Sequence, residues 1–386
     1  MFVSSQMKGY SEKSSWIRKM FEEGARLKEE FGAENVYDFS LGNPDVPPRE
    51  EVLVSIERLA REMSHGYMPN AGYPQVRQCI AEFVSREYGV EITKDEIVMT
   101  CGAGGAMNVV LRSILNQGDE VIVLAPYFVE YQFYAENFGG KLVIVRCGDD
   151  FMPNVNNIRK AITVRTKAII INSPNNPTGR IYPQAVFDDL KSVLDEYPQI
   201  LLISDEPYRR IVFDGLKLPS ILATVPNSVI VTSASKDLSL PGQRIGYIAV
   251  NPAIEGKADL MSALIMANRI LGFVNAPAIM QRVMAECIDM NIHVGNYQKR
   301  RDIITGVMDD AGLTYAKPEG AFYLFVKSPI DDDVAFCRAL TGERILAVPG
   351  SGFGWPGYVR FAYCTSEKSI TGMVPGLKRV VQRLKS

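Results

Sequence analysis

Lys236 stands just past the apolar run SVIVTS (228–233) and eight residues before Arg244. A lysine that follows a buried strand, with a guanidinium nearby, loses part of its proton affinity and becomes a nucleophile. The guanidinium can hold a phosphate through paired donors. A second anion site is suggested where EIVMT (96–100) runs into Cys101-Gly102-Ala103-Gly104-Gly105 and a helix-like stretch. Free backbone N–H groups and the positive end of a helix meet there. The spacing is not G-x-G-x-x-G, and a tight turn alone would explain the glycines equally well. Asp205 closes the run ILLIS (200–204). A helix N-cap is the commoner role for such an aspartate, yet open α/β sheets place ligands at the carboxyl ends of their strands. The glycine loop, Asp205 and Lys236 all occupy such ends.

Other chemistries lack their residues. Only two histidines occur, His65 and His293, neither with a metal-ligand neighbour at helical spacing, so histidine triads and metal centres are not expected. Six cysteines, Cys79, Cys101, Cys147, Cys287, Cys337 and Cys364, lie far apart without C-x-x-C and read as buried thiols. Lys and Arg number 42 against 44 Asp and Glu, for a net charge of −2, which gives no field for nucleic acid. The N-terminus lacks the apolar core of a signal peptide, and no stretch reaches ~18 consecutive apolar residues. A cytoplasmic protein with no membrane partner is the expectation.

The elements that must position these residues alternate from 96 to 250. EIVMT, EVIVLA, KLVIVRC, KAIIIN, ILLIS, SVIVTS and GYIAV are short, β-branched and bounded by Gly, Pro or Asn. Without strict alternation they read as strands buried on both faces, hence a mainly parallel α/β sheet. Residues 183–197 carry Val186, Phe187, Leu190, Val193 and Leu194 at spacings of three and four, the stripe of a covering helix. A long helical region is expected from about 256 to 311, followed by EGAFYLFV, DDDVAFCRAL, YVRFAYC and a last helix, the pattern of a smaller α+β unit. The first ~30 residues read as an amphipathic helix plus an arm that packs on the smaller domain or a partner subunit. At 386 residues, a large domain plus a smaller one is expected.

The string Thr232-Ser233-Ala234-Ser235-Lys236-Asp237-Leu238-Ser239-Leu240-Pro241-Gly242-Gln243-Arg244 resembles the cofactor-lysine segment of class I aminotransferases, of the aspartate-aminotransferase fold family. The resemblance implies pyridoxal 5′-phosphate bound as a Schiff base (internal aldimine) on Lys236, with Ser233, Ser235 and Arg244 at its phosphate beside Gly102, Ala103 and Gly104. Asn172-Ser173-Pro174-Asn175-Asn176-Pro177-Thr178-Gly179 is similar to the family's N-P-x-N-P-T-G loop, with Ser173 inserted, and puts Asn176 at the cofactor's phenolic oxygen. Asp205-Glu206-Pro207-Tyr208 resembles D-x-x-Y, which gives Asp205 to the protonated pyridine nitrogen and Tyr208 to the phenolic oxygen. Pro126-Tyr127-Phe128-Val129-Glu130-Tyr131 resembles the segment whose aromatic residue, here Phe128, stacks on the ring. Core packing would account for Tyr127 and Tyr131. Tyr358-Val359-Arg360-Phe361-Ala362 resembles the strand whose arginine grips the substrate α-carboxylate. Phe39 to Asp45, with Gly42, resembles the opening segment that lines the substrate site. Tyr67 to Gly72 resembles a segment whose tyrosine reaches the phosphate of the other subunit.

The resemblance spans residues ~15–386 in family order. It implies a mainly parallel seven-stranded sheet in a large cofactor-binding domain (46–290), a small C-terminal domain (291–386), and an arm that joins the small domain (1–45), so that the smaller α+β unit draws on both chain ends. The implied reaction moves an amino group between an L-amino acid and a 2-oxo acid, in a homodimer with shared sites. Lys236, Asp205 and Tyr208 are then catalytic; Gly42, Asn176 and Arg360 hold substrate. Three rivals stand beside it. A C–S β-lyase would use the same cofactor groups. A ligand-sensing regulator would need a preceding DNA-binding domain, for which the N-terminal ~40 residues leave no room. A dehydrogenase would need G-x-G-x-x-G and an acidic residue ~20 positions on. At the position where dicarboxylate-specific relatives carry an arginine from the partner subunit, this chain carries Ile270, beside Arg269, which implies a neutral or broad side-chain range.

Overall fold

In the computed structural model, which describes residues 2–12, 16–62 and 65–385, twelve strands fall into three sheets. They are β1 (Tyr37–Asp38), β2 (Ile97–Thr100), β3 (Glu120–Ala125), β4 (Lys141–Arg146), β5 (Thr166–Asn172), β6 (Leu201–Asp205), β7 (Ser228–Ser233), β8 (Gly246–Val250), β9 (Tyr323–Lys327), β10 (Ile345–Leu346), β11 (Val348–Pro349) and β12 (Tyr358–Ala362). The central sheet has seven strands in the order β2-β8-β7-β6-β5-β3-β4. β4, β3, β5, β6 and β7 run parallel, and β8 lies antiparallel between β7 and β2. Most of the apolar runs become strands covered on both faces, and β2 and β8 are buried at every position; β4, at the edge of the sheet, departs from that expectation, with only Val145 buried. Parallel strands need this cover, and the intervening helices supply it. One such helix, Gln184–Glu196, buries Val186, Phe187, Leu190, Val193 and Leu194.

A second core lies in the C-terminal third. β9 pairs with β12, which pairs with β11, all antiparallel. Helices Val294–Asp310, Asp333–Gly342 and Val374–Lys385 close over them around Phe322, Phe336, Tyr363 and Leu377. The N-terminal segment enters this unit, since β1 pairs in parallel with β10 and Phe39 joins the same cluster. The smaller α+β unit is therefore built from both chain ends.

One element differs from the sequence reading, and the N-terminal arm takes the smaller unit, the first of its two expected places. The expected helical region from 256 to 311 is three helices, Lys257–Ile270, Ala278–Cys287 and Val294–Asp310. Gly272 at φ 87° and Pro277 break the first from the second, a local backbone preference that overrides the apolar spacing. The N-terminal arm has a home on the chain itself. Leu27 packs with Val36 and Leu346, Lys28 pairs with Asp38 at 2.7 Å, and the Tyr10 ring meets Phe133 edge-on at 4.8 Å. Residues 13–15 of that arm lie outside the described residues. Among the described residues no helix is long and apolar enough to cross a membrane.

Candidate active site

β5, β6 and β7 end in register at one edge of the sheet: Asn172 lies opposite Asp205, and Asp205 opposite Val231. β2 points the same way, because two antiparallel pairings separate it from β7. The segments after these carboxyl ends, with those after β3 and around β12, surround a cleft of about 360 Å³. Leu41, Gly42, Ala103, Gly104, Phe128, Asn176, Asp205, Tyr208, Ser233, Ser235, Lys236, Arg244 and Arg360 line it. Gly102 lies just behind, as the first residue of the helix Gly102–Ile114.

Lys236 donates from Nζ to the carbonyl oxygen of Gly42 at 2.7 Å. Burial lowers its pKa from the ordinary 10.5 to about 8; the Cys364 thiol opposes this, and Arg360 and Arg244 add to it. A neutral amine is therefore within reach near neutral pH. Gly42 keeps its place because it has no side chain: a Cβ there would land on the Tyr323 hydroxyl.

Asp205 is buried on β6. Its Oδ2 accepts from the Tyr131 hydroxyl at 2.6 Å, and its Oδ1 has no partner. Burial raises the carboxyl pKa to about 7, against the lowering effect of Tyr131, with Glu206 adding a further upward push. An unpartnered carboxylate oxygen at such a position is costly unless a ligand supplies a donor.

At the glycine turn, Gly102 has φ 72°, and a Cβ would come within 2.7 Å of the Arg244 guanidinium, so only glycine allows that approach. Arg244 donates to Pro241 O at 2.9 Å and to Cys101 O at 3.5 Å. The side chains of Ser233 and Ser235 make no hydrogen bond to a described residue. Helix N–H groups, two unengaged hydroxyls and a guanidinium thus surround one spot, a donor set that fits a phosphate.

Arg360 is 2% exposed. It donates to Asn176 Oδ1 at 3.0 Å and to Ser40 O at 2.5 Å, lies 4.7 Å over the Tyr323 ring, and leaves Nε without a partner. Asn172 holds this corner, donating to Asp205 O at 2.7 Å and accepting from the Asn176 N–H at 2.7 Å. Tyr208 shares a hydrogen bond of 2.7 Å with Tyr323, and both hydroxyls have pKa values raised by burial. Phe128 meets Tyr131 edge-on at 5.6 Å.

Tyr67 is not in this cleft: it is 91% exposed on the single chain. Three neighbours went unassigned in the sequence. Tyr131 had only a packing role, Tyr323 lay inside the apolar EGAFYLFV, and Glu130 was one of 44 acidic residues. The one available signal was position, since Tyr131 and Glu130 follow the end of β3 by a few residues.

A profile of the family described as Aminotransferase class I and II matches residues 33–374. The chain belongs to this family. The aspartate/prephenate aminotransferase of Thermus thermophilus is 33% identical over 89% of this chain and 90% of its own length. A probable aspartate aminotransferase of Methanocaldococcus jannaschii is 29% identical over 98% of this chain and 100% of its own. Among solved structures, an amino transferase from Eubacterium rectale superposes with a TM-score of 0.96, at 35% identity and full coverage of both chains. The protein is an aminotransferase, and nothing in these likenesses favours the lyase, regulator or dehydrogenase readings. The family implies pyridoxal phosphate, and the aminotransferase cleft meets its needs: a buried amine, an unpartnered carboxylate oxygen and a phosphate-shaped donor set.

Proposed function

We propose that this chain moves an amino group between an L-amino acid and a 2-oxo acid, with Lys236 as the residue that bonds pyridoxal phosphate and carries the proton. One observation supports the reading above others. A buried lysine with a pKa near 8 shares a cleft with a buried aspartate whose Oδ1 faces no protein donor. When bound, the cofactor supplies an electrophilic carbon and a protonated ring that accepts the electron pair released at the substrate's Cα.

The chain's own groups do the rest. Gly102, Ala103 and Gly104, through backbone N–H groups, with Ser233, Ser235 and Arg244, would hold the phosphate. Phe128 would cover one ring face, and Tyr208 and Asn176 would donate to the phenolic oxygen. Asp205 would keep the ring nitrogen protonated: a cation opposite Oδ1 stabilises the carboxylate that burial otherwise disfavours. Arg360 would orient the amino acid by its α-carboxylate through the donors it does not spend on Asn176 and Ser40. The Lys236 amine would be the base that takes the proton from the substrate's Cα, a general acid–base role typically worth ~10² to 10⁴ in rate.

The functional unit is a homodimer in this reading. The segment bearing Tyr67 is tied to the chain by Asn70 to Val274 O at 2.9 Å and Asn275 to Met68 O at 3.1 Å, yet Tyr67 itself projects outward. Exposed Met266 and Ile270 lie on the adjoining helix. A two-fold partner would cover them and receive Tyr67 beside its phosphate site. In this reading the chain divides near residues 46 and 290; most apolar side chains on each side share a cluster, while Tyr208, Ile211 and Phe213 pack in the smaller one and Phe325, Val348, Phe353 and Trp355 in the larger. All six cysteines are free, which suits a reducing, cytoplasmic setting. The test is an exchange assay with pyridoxal phosphate, a panel of amino acids, and pyruvate or 2-oxoglutarate as acceptor. Stoichiometric formation of a new 2-oxo acid and a new amino acid supports the reading; ammonia or sulfide released without an acceptor overturns it.

A further inference from the structure

Either hydroxyl can be the donor across the 2.7 Å contact between Tyr208 and Tyr323. Each has one hydrogen to give. Where Tyr208 spends its hydrogen on the cofactor's phenolic oxygen, the role assigned to it, its oxygen is left to accept, and Tyr323 must be the donor. The Tyr323 hydroxyl has no other hydrogen-bond partner among the described residues, so nothing competes for that hydrogen. Burial pushes the Tyr323 pKa up to about 12, against the lowering effect of Arg360, and raises Tyr208 as well, so both hydroxyls keep their hydrogens through the neutral range.

Local structure holds the donor in place. Tyr323 opens β9, which pairs with β12 so that Tyr323 lies opposite Ala362 and Arg360 opposite Phe325. Tyr323 and Arg360 are therefore diagonal neighbours on one face, and the guanidinium lies 4.7 Å over the Tyr323 ring. On another side Tyr208 meets the ring edge-on at 5.5 Å, and Phe322 packs against both. The hydroxyl ends against Gly42, where a side chain would collide with it. Tyr323 thus reaches from a strand of the smaller unit to a residue that follows β6 of the central sheet.

We propose that Tyr323 is a positioning residue: its hydroxyl donates to Tyr208 and so turns the single Tyr208 hydrogen towards the phenolic oxygen of the cofactor. A hydroxyl that accepts one hydrogen bond is also a stronger donor in the next. The inference rests on the assignment of Tyr208 to that oxygen and adds the residue that acts through it.

The test is a spectral titration of the parent, Tyr208→Phe, Tyr323→Phe and the double variant, each loaded with pyridoxal phosphate. Absorbance follows loss of the proton from the nitrogen that joins Lys236 to the cofactor; a donor on the phenolic oxygen favours that loss by stabilising the negative oxygen left behind. The charged or titratable groups that face the pair, Lys236, Arg360, Asp205 and Cys364, are the same in every variant. Tyr208→Phe moves the midpoint upward by about one pH unit or more, and Tyr323→Phe moves it the same way by about 0.2 to 0.6 of a unit. Added to Tyr208→Phe, the Tyr323→Phe change moves it by less than about 0.1 further, because the hydroxyl it served is gone. The phenylalanine ring still lies under Arg360, so the preference for alanine over ethylamine stays within about twofold of the parent. An unmoved midpoint in Tyr323→Phe, a full further shift in the double variant, or a collapse of the alanine preference overturns the inference and leaves the assignment of Tyr208 standing. An unmoved midpoint in Tyr208→Phe removes that assignment, and the Tyr323 inference falls with it.

Discussion

Replacing Arg360 tests the substrate corner, because the structure states what the side chain already does. Two of its five N–H donors go to Asn176 Oδ1 and Ser40 O, and the Tyr323 and Phe353 rings, 4.7 and 4.8 Å away, fix its plane. The remaining donors, the unpartnered Nε among them, can take a carboxylate in paired bonds. A hydrogen bond to a charged group contributes about 1.5–3 kcal/mol. Arg360→Lys keeps the charge and loses the fork, so about one such bond disappears and substrate binding weakens roughly 10- to 100-fold. Arg360→Ala loses both, on the order of 10² to 10⁴ in kcat/KM. The assay is a half-reaction titration of each variant with alanine and with ethylamine, which lacks the carboxylate. The alanine-to-ethylamine ratio should collapse while ethylamine reacts much as with the parent. A ratio unchanged in Arg360→Ala would refute the assignment, because loss of packing would slow both donors alike.

Three further outcomes follow from the same geometry. Asp205→Ala should lower turnover at saturating pyridoxal phosphate by about 10² or more and weaken cofactor binding far less, since the glycine turn and Arg244 are untouched; near-normal kcat would remove Asp205 from the ring nitrogen. Only a neutral amine attacks a carbonyl, and the Lys236 pKa is lowered to about 8. Stopped-flow attachment of cofactor to the cofactor-free protein should therefore accelerate with rising pH and level off above pH 8, whereas a rate still climbing towards pH 10 would mean an ordinary lysine. Mixing Tyr67→Phe with Lys236→Ala subunits should give heterodimers with one intact site and up to half the parental activity per dimer. No activity above the Tyr67→Phe background, with exchange confirmed by mass, would mean that Tyr67 serves its own chain.

The sheet was legible because its strands are short apolar runs with β-branched residues and clear breaks, as in KAIIIN and SVIVTS. Residues at strand ends were legible as cleft candidates for the same reason: topology carries Asn176, Asp205 and Lys236 to one edge once the strands are parallel. Side-chain partnerships were not. A packing role accounts for Tyr131 in the sequence, but its hydrogen bond to Asp205, 74 residues on, depends on how the helix after β3 seats against β4 and the helix Gly102–Ile114. Tyr323 was hidden likewise, since its hydroxyl meets Tyr208 across a contact of 115 residues in sequence. The break between helices near Gly272 was masked by apolar spacing that continues through it. The docking of Tyr10 on the helix that carries Glu130 is a long-range contact with no local pattern.

The central claim is that Lys236 is the residue that bonds the cofactor. Purified protein is incubated with pyridoxal phosphate, reduced with borohydride, digested, and mapped by mass spectrometry. A pyridoxyl label confined to the peptide around Lys236, lost in Lys236→Ala, is the predicted result. A label on another lysine, or no label after cofactor has been added, would contradict the account.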